Sequence, residues 1–168
     1  MGDYRIGRAD ASDITAVLGV INETNRAFYC AIVPSERFLD PFLTVEELRD
    51  AFERMTFYAA RSADRIVGVG VLEARGAGLG VVFRLYVLPA WQRRGVATAL
   101  LQRIERDAAT AGIREIVLWT DARADWAVAF YLRAGFDPVE ASRRYGDPLI
   151  DEAIVNGWDA LTILRKPL

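Results

Sequence analysis

Between Gly80 and Thr120 the apolar pattern changes period twice, and nothing else in the chain constrains the fold as much. Gly80 to Leu88 is rich in β-branched and aromatic residues and reads as a strand that stops at Pro89. Ala97, Leu100, Leu101, Ile104 and Ala108 then share one helical face, with Gln102, Arg103, Glu105 and Arg106 opposite. Gly112 suits the left-handed position just past that helix. Glu115 to Thr120 is again a nearly continuous apolar run, the pattern of a buried parallel strand. Strand, crossover helix and strand of this kind form a right-handed βαβ unit.

The flanks fill in around that unit. Tyr4 to Ala9 reads as a first strand, followed by a helix through Ile14, Val17, Leu18 and Ile21 that Asp10 or Ser12 can cap. A looser stretch runs from Phe28 to Pro41. Thr44-Val45-Glu46-Glu47 is a capping box that opens a helix through Leu48, Phe52 and Met55. Phe57 to Ala63 and Ile66 to Glu73 are strands whose short connectors imply antiparallel hairpins. Asp125 to Arg133 is a second downstream helix, capped by Asp125 and stopped at Gly135, with a strand near Phe136. Asn156-Gly157 signals a turn before a last strand at Leu161 to Leu164. No repeat or linker interrupts the 168 residues, which make about one domain.

Composition removes several kinds of chemistry. The chain has no histidine, which excludes Ser-His-Asp and Cys-His mechanisms and HExxH-type metal sites. The single cysteine, Cys30, forms neither an internal disulfide nor a zinc cluster, and is expected as a small buried apolar residue. A net charge of −2 argues against nucleic acid as a partner. The start of the chain, Met1 to Ile6, lacks a signal-peptide core, and no apolar run approaches a membrane span; a cytoplasmic protein is expected. The sequon Asn22-Glu23-Thr24 is read as chance.

Leu85-Tyr86-Val87-Leu88-Pro89-Ala90-Trp91-Gln92-Arg93-Arg94-Gly95-Val96-Ala97-Thr98 carries the most chemical information. A strand ends, a short loop bears two arginines, and a helix begins among small residues. The first turn of a helix leaves N–H groups unpaired at the positive end of its dipole, where a phosphate can accept hydrogen bonds. Gly95 and Ala97 keep side-chain bulk low there, and Arg93 and Arg94 can add charge-assisted bonds of about 1.5–3 kcal/mol each where water is excluded. An Arg-Arg pair beside a glycine is also compatible with an ordinary solvated face. Neither GxxxxGK[ST] nor a GxGxxG after a strand is present.

Gln92-Arg93-Arg94-Gly95-Val96-Ala97 resembles the Q/R-x-x-G-x-G/A signature of the GNAT superfamily of acyl-CoA-dependent N-acetyltransferases. Ala127-Val128-Ala129-Phe130-Tyr131-Leu132-Arg133-Ala134-Gly135-Phe136 resembles that family's second landmark, A-x-x-F-Y-x-x-x-G-F. The resemblance spans nearly the whole chain. It implies one domain over residues 1–168 with a mixed α/β fold: a central sheet of about seven strands, helices on both faces, and two central parallel strands that splay apart.

The resemblance also implies acetyl-CoA as acyl donor, bound in the splay by Val87, Leu88, Gln92, Arg93, Arg94, Gly95, Val96, Ala97 and Thr98. The Val87 backbone would pair with the pantetheine arm, and the amides of residues 94 to 98 would hold the pyrophosphate. Tyr131 would be the general acid beside the sulfur. A phenol titrates about 1.5 units above a thiol, so full proton transfer is uphill by roughly 2 kcal/mol, yet a hydrogen bond to developing charge is favourable throughout. The acceptor, a primary amine on a small molecule, amino acid or peptide, is only about one part in a thousand neutral near neutral pH. A carboxylate base would help, and Glu73 and Asp121 are the candidates.

Where many members of the family have asparagine seven residues before the tyrosine, this chain has Ala124. The resemblance implies acceptor specificity from Thr24 to Phe42, with Asn25, Arg26, Tyr29, Phe38 and Phe42 as lining residues, and from the C-terminal hairpin. The glycines of Gly68-Val69-Gly70 and Gly76 to Gly80 read as sheet and hairpin residues. Trp91, Trp119, Trp126 and Trp158 read as core or interface, and Arg143-Arg144-Tyr145 as a solvated turn. No metal is expected, and a homodimer is left open. The alternative to an enzyme is a non-catalytic acyl-CoA sensor or scaffold module.

Overall fold

A computed structural model describes residues 3–139 and 161–168. Seven strands, β1 (Arg5–Arg8), β2 (Thr56–Ser62), β3 (Arg65–Ala74), β4 (Leu79–Val87), β5 (Glu115–Asp121), β6 (Asp137–Pro138) and β7 (Leu161–Pro167), form one sheet in the order β1-β2-β3-β4-β5-β7-β6. Helices α1 (Ile14–Tyr29), α2 (Val45–Arg54), α3 (Val96–Thr110) and α4 (Asp125–Arg133) cover its two faces. Every pairing is antiparallel except that of β4 with β5. The βαβ unit is therefore the one parallel seam in the described sheet.

That seam closes only at one end. Leu79, Gly80 and Val81 pair with Glu115, Ile116 and Val117, after which β4 runs on to Val87 and β5 to Asp121 without pairing to each other. A parallel pair that parts halfway leaves two inner strand edges with open backbone groups. β7, which the chain reaches last, inserts between β5 and β6 and pairs with β5 along its full length.

Local chemistry explains where the helices begin. Asp10 accepts from the Ser12 amide at 2.8 Å while Asp13 accepts from the Asp10 amide at 3.0 Å, so a capping box leads through a short 3₁₀ turn into α1. Thr44 and Glu47 form the expected reciprocal box at α2. Asp125 does not cap α4: it is the first helical residue, Ala124 occupies the cap position, and no side chain bonds to the exposed amides. An aspartate one residue too far along has already turned with the helix and cannot reach back across the N-terminus.

α3 is seated by close approach. A Cβ on Gly70 would come within 2.8 Å of Ile104 Cδ1, and one on Gly68 within 3.0 Å of Val96 Cγ1. The two β3 glycines thus let the apolar stripe of α3 lie directly on the sheet. Leu100, Leu101 and Ile104 are all buried there, at about 1.5–3 kcal/mol each for full burial. The docking fixes the N-terminus of α3 at the mouth of the β4–β5 opening.

Two other expectations change. Cys30 is exposed, because it follows the last residue of α1 where the chain turns out to solvent. Trp91 and Trp119 are half-buried, packed against the edges of the hydrophobic core, and Trp126 is 47% exposed, so of these three it is Trp126 that departs from a core reading; Trp158 lies outside the described residues, as do Asn156-Gly157 and Arg143 to Tyr145. Asn22 sits within α1 and clamps both backbone groups of Leu43 at 3.0 Å. No described helix is long and apolar enough to cross a membrane, and no group of metal-ligating side chains occurs among the described residues.

Candidate active site

A cleft of about 1200 Å³ opens where β4 and β5 part. One end is the turn after β4. Here Arg93 has φ +61° and Gly95 φ +80°, two left-handed residues that swing the chain from strand into helix. Gly95 stands in the cap position of α3 and no side chain caps that helix, in contrast to α2. The first-turn amides are left for an external acceptor. A Cβ on Gly95 would meet only Tyr4 Oη, at 3.4 Å, so the glycine serves the backbone conformation more than it makes room for a ligand.

Val87, Gln92, Arg93, Gly95, Val96, Ala97 and Thr98 all line the cleft together with Tyr131. The Leu88 amide bonds back to Val67 of β3, so the preceding Val87 carbonyl points the other way, towards the opening, where Gln92 Nε2 donates to it at 3.2 Å. Leu88 itself is buried. The Arg94 guanidinium turns from the cleft to lie 5.1 Å from the centre of the Trp91 ring, leaving its backbone at the turn. A smaller hollow of about 750 Å³ between β1 and α2 contains none of these residues.

Tyr131 projects from α4, with its ring edge-on to Phe130 and Phe136. Its hydroxyl has no hydrogen-bond partner among the described residues. Burial pushes the phenol well above its usual range, and the nearby Tyr29 adds to this. It keeps its proton at every physiological pH.

Two further tyrosines, to which the sequence assigned no chemistry, converge on the same place. Tyr29, from the end of α1, packs edge-on to Tyr86 of β4 at 6.2 Å and touches Thr120 of β5 through its hydroxyl. Burial raises both phenols. The sequence marks Tyr29 only as a lining residue and Tyr86 only as part of the motif; the one signal for Tyr86 is a polar-tipped ring in a strand otherwise reading as buried.

Neither candidate base lines the cleft. The Asp121 carboxylate is 1% exposed. Burial raises it, but the Arg123 amide at 2.9 Å and its guanidinium at 2.8 and 2.6 Å more than offset this and hold it below the usual carboxylate value. It adjoins cleft-lining Thr120 and feels Tyr29 electrostatically. Glu73 lies opposite Val81, at the paired end of the seam, bound to Arg75. Of the expected acceptor-side residues, Tyr29 and Phe42 line the cleft. Asn25 bonds to the Leu39 carbonyl, Arg26 forms a two-pronged ion pair with Asp40, and Phe38 lies elsewhere.

The phenols give a testable alkaline limit. Tyr29, Tyr58, Tyr86 and Tyr131 are all raised; Tyr58, buried and bonded to Asp107, is pushed up to about 12. A group with a raised folded value stabilises the fold fully below its unfolded value of about 10, and that contribution is lost as pH climbs through the folded value. These four tyrosines are therefore expected to ionise late and together with loss of structure, between about pH 10 and 12. Ultraviolet titration of phenolate alongside circular dichroism checks this. Smooth ionisation of all tyrosines near pH 10 in a folded protein would contradict it.

Parallel strands that part beside an uncapped helix, with a free phenol across the gap, define a mixed α/β protein of the splayed-sheet kind. The chain belongs to the acetyltransferase (GNAT) family, which matches residues 19–136. It is 33% identical over 96 residues to an IAA acetyltransferase of Azospirillum brasilense, a match covering 55% of this chain and 62% of that relative's length. In fold it is similar to the PaiA N-acetyltransferase of Thermoplasma acidophilum, solved in complex with coenzyme A (TM-score 0.81, 18% identity, 100% of both chains). It is likewise similar to the ribosomal-protein-S18-alanine N-acetyltransferase of Escherichia coli (TM-score 0.72, 17% identity, 98% of this chain and 93% of that one).

Proposed function

We propose that the protein moves the acetyl group of acetyl-CoA directly to the amine of a small molecule, amino acid or peptide. The observation that carries this reading is the Tyr131 hydroxyl, unpartnered and facing the same cleft as the uncapped N-terminus of α3. A chain that only bound an acyl carrier would need the amides but not the phenol. The coenzyme A complex of the Thermoplasma relative supports the choice of donor.

The residues present fit such a donor. The turn from Gln92 to Thr98 offers the amides of Arg94, Gly95, Val96, Ala97 and Thr98, the Thr98 hydroxyl and the Arg93 charge to a pyrophosphate. The Val87 carbonyl, already turned to the opening, and the adjoining Leu88 backbone would hold the amide-bearing arm. Acetyl-CoA supplies an acyl thioester. The amine nitrogen forms the new C–N bond, the C–S bond breaks, and the sulfur leaves with its electron pair. Tyr131 Oη stabilises that charge by hydrogen bonding, and the proton that the nitrogen sheds as the amide forms ends on the sulfur, giving a thiol.

The attacking ammonium must lose a proton first. Asp121 is the proton acceptor we favour, acting through Thr120, Tyr29 and water, because it adjoins the cleft; Glu73 is the second candidate. A carboxylate held this low is a weak base, so it relays a proton more than it drives deprotonation.

Amine-dependent release of thiol from acetyl-CoA tests the reading, using a panel of amino acids, polyamines and short peptides. Release with at least one amine, accompanied by the N-acetyl product in mass spectrometry, is expected. Binding of acetyl-CoA without consumption across the panel would point to a sensor instead.

A further inference from the structure

Arg84 interrupts an otherwise apolar strand, Val81-Val82-Phe83-Arg84-Leu85-Tyr86-Val87, in the wall of the cleft. It is also where β4 bulges: the register passes from Val71↔Phe83 to Val69↔Tyr86, so Arg84 and Leu85 together face Gly70. Arg84 has φ +50°, a strained value for a residue with a Cβ, and bulges of this kind re-aim a side chain. Its Nε and Nη1 are shut off from solvent and have no hydrogen-bond partner among the described residues. Tyr86, Glu47 and Arg54 act on it electrostatically, and the Glu47 carboxylate is committed to Thr44. The guanidinium lies 5.9 Å from the centre of the Phe83 ring, but two shielded N–H groups of a cation without a hydrogen bond are costly enough that folded proteins seldom keep them for structure alone.

We propose that Arg84 is the docking point for a carboxylate on the acceptor, so that the substrate is an amine carrying a carboxylate, such as an amino acid. The inference rests on the acetyl-transfer reading above. The planar fork of an arginine matches the two oxygens of a carboxylate. Thr24 Oγ1, on α1, is a second buried polar atom without a partner, and Thr24 lines the same cleft. The donor's phosphates are not the occupant. Arg84 lies three residues back along β4 from Val87, roughly 10 Å, and the phosphate turn begins only beyond Val87.

The test compares matched acceptors: the common amino acids and 4-aminobutyrate, each against its own carboxamide and, where one exists, its phosphonate analogue. The wild-type protein is expected to favour a carboxylate over its carboxamide by ~100-fold or more in kcat/KM. Arg84→Gln should collapse that ratio to within about threefold, mainly through KM, while calorimetry shows acetyl-CoA affinity retained, and Arg84→Lys should recover part of the preference. Equal or better turnover of carboxamides, a preference for phosphonates, or a ratio that survives Arg84→Gln would overturn the inference while leaving acetyl transfer standing. If Arg84→Gln does not fold, the wild-type ratio alone decides. No thiol release with any acceptor would also overturn it, and failure of acetyl-CoA to bind would identify the fault as the underlying reading.

Discussion

Tyr131→Phe is expected to lower kcat by about 100- to 1000-fold, the loss typical of removing one donor from a developing negative charge. Acetyl-CoA affinity should stay within about threefold of wild type, because the proposed role of the phenol is at the reacting end and not at the phosphates. Stability should barely change: the hydroxyl has no hydrogen-bond partner to lose among the described residues, and the ring contacts with Phe130 and Phe136 survive in phenylalanine. The selectivity of the loss is the informative part. A fall in affinity matching the fall in kcat would mean that Tyr131 shapes the cleft, and an unchanged kcat would remove it from the chemistry. The raised phenol adds a second signature: no loss of rate traceable to Tyr131 ionisation is expected anywhere in the range where the protein stays folded.

Gly95→Val should have the opposite selectivity. At φ +80° a β-branched residue is strongly disfavoured, and any Cβ there costs roughly 1–2 kcal/mol. The start of α3 is expected to relieve this by rotating, which misdirects the amides that would meet a pyrophosphate. Losing two such bonds at about 1.5–3 kcal/mol each weakens acetyl-CoA binding by ~100-fold or more. Because the built Cβ meets only Tyr4 Oη at 3.4 Å, strain and not collision is the cause. Asparagine, which tolerates the left-handed region, should therefore restore much of the affinity. Titrating both variants calorimetrically decides the matter; wild-type affinity in Gly95→Val would mean that the turn does not hold the donor.

These two sites were the legible part of the sequence, for a physical reason. The strand–turn–helix around Gly95 and the helix bearing Tyr131 are local, and their periodicities, the glycine and the small residues can be read within one window. The capping box at Thr44 and the left-handed Gly112 are local in the same sense. What escaped depends on long-range placement. Arg84 acquires meaning only when the β3–β4 register slips opposite Gly70. Tyr29 and Tyr86 meet because α1 ends over β4, 57 residues further along the chain. The insertion of β7 between β5 and β6 leaves no trace in periodicity.

Local reading also erred where one residue of register decides the outcome. Asp125 satisfies every compositional rule for a cap but sits inside the helix, and Ala124 takes its place. Cys30 follows apolar neighbours yet lies where α1 has ended. The three tryptophans within the described residues line the cleft because a wide opening between strands needs large walls, a demand that no single segment reveals.

The most direct test of the account is a calorimetric titration with acetyl-CoA and, in parallel, with S-acetylpantetheine, which keeps the thioester and its arm but lacks the pyrophosphate. Micromolar binding of acetyl-CoA and affinity weaker by ~100-fold or more for acetylpantetheine are expected, because most of the binding is assigned to the turn from Gln92 to Thr98. Equal affinities, or no binding of acetyl-CoA at millimolar concentration, would contradict it.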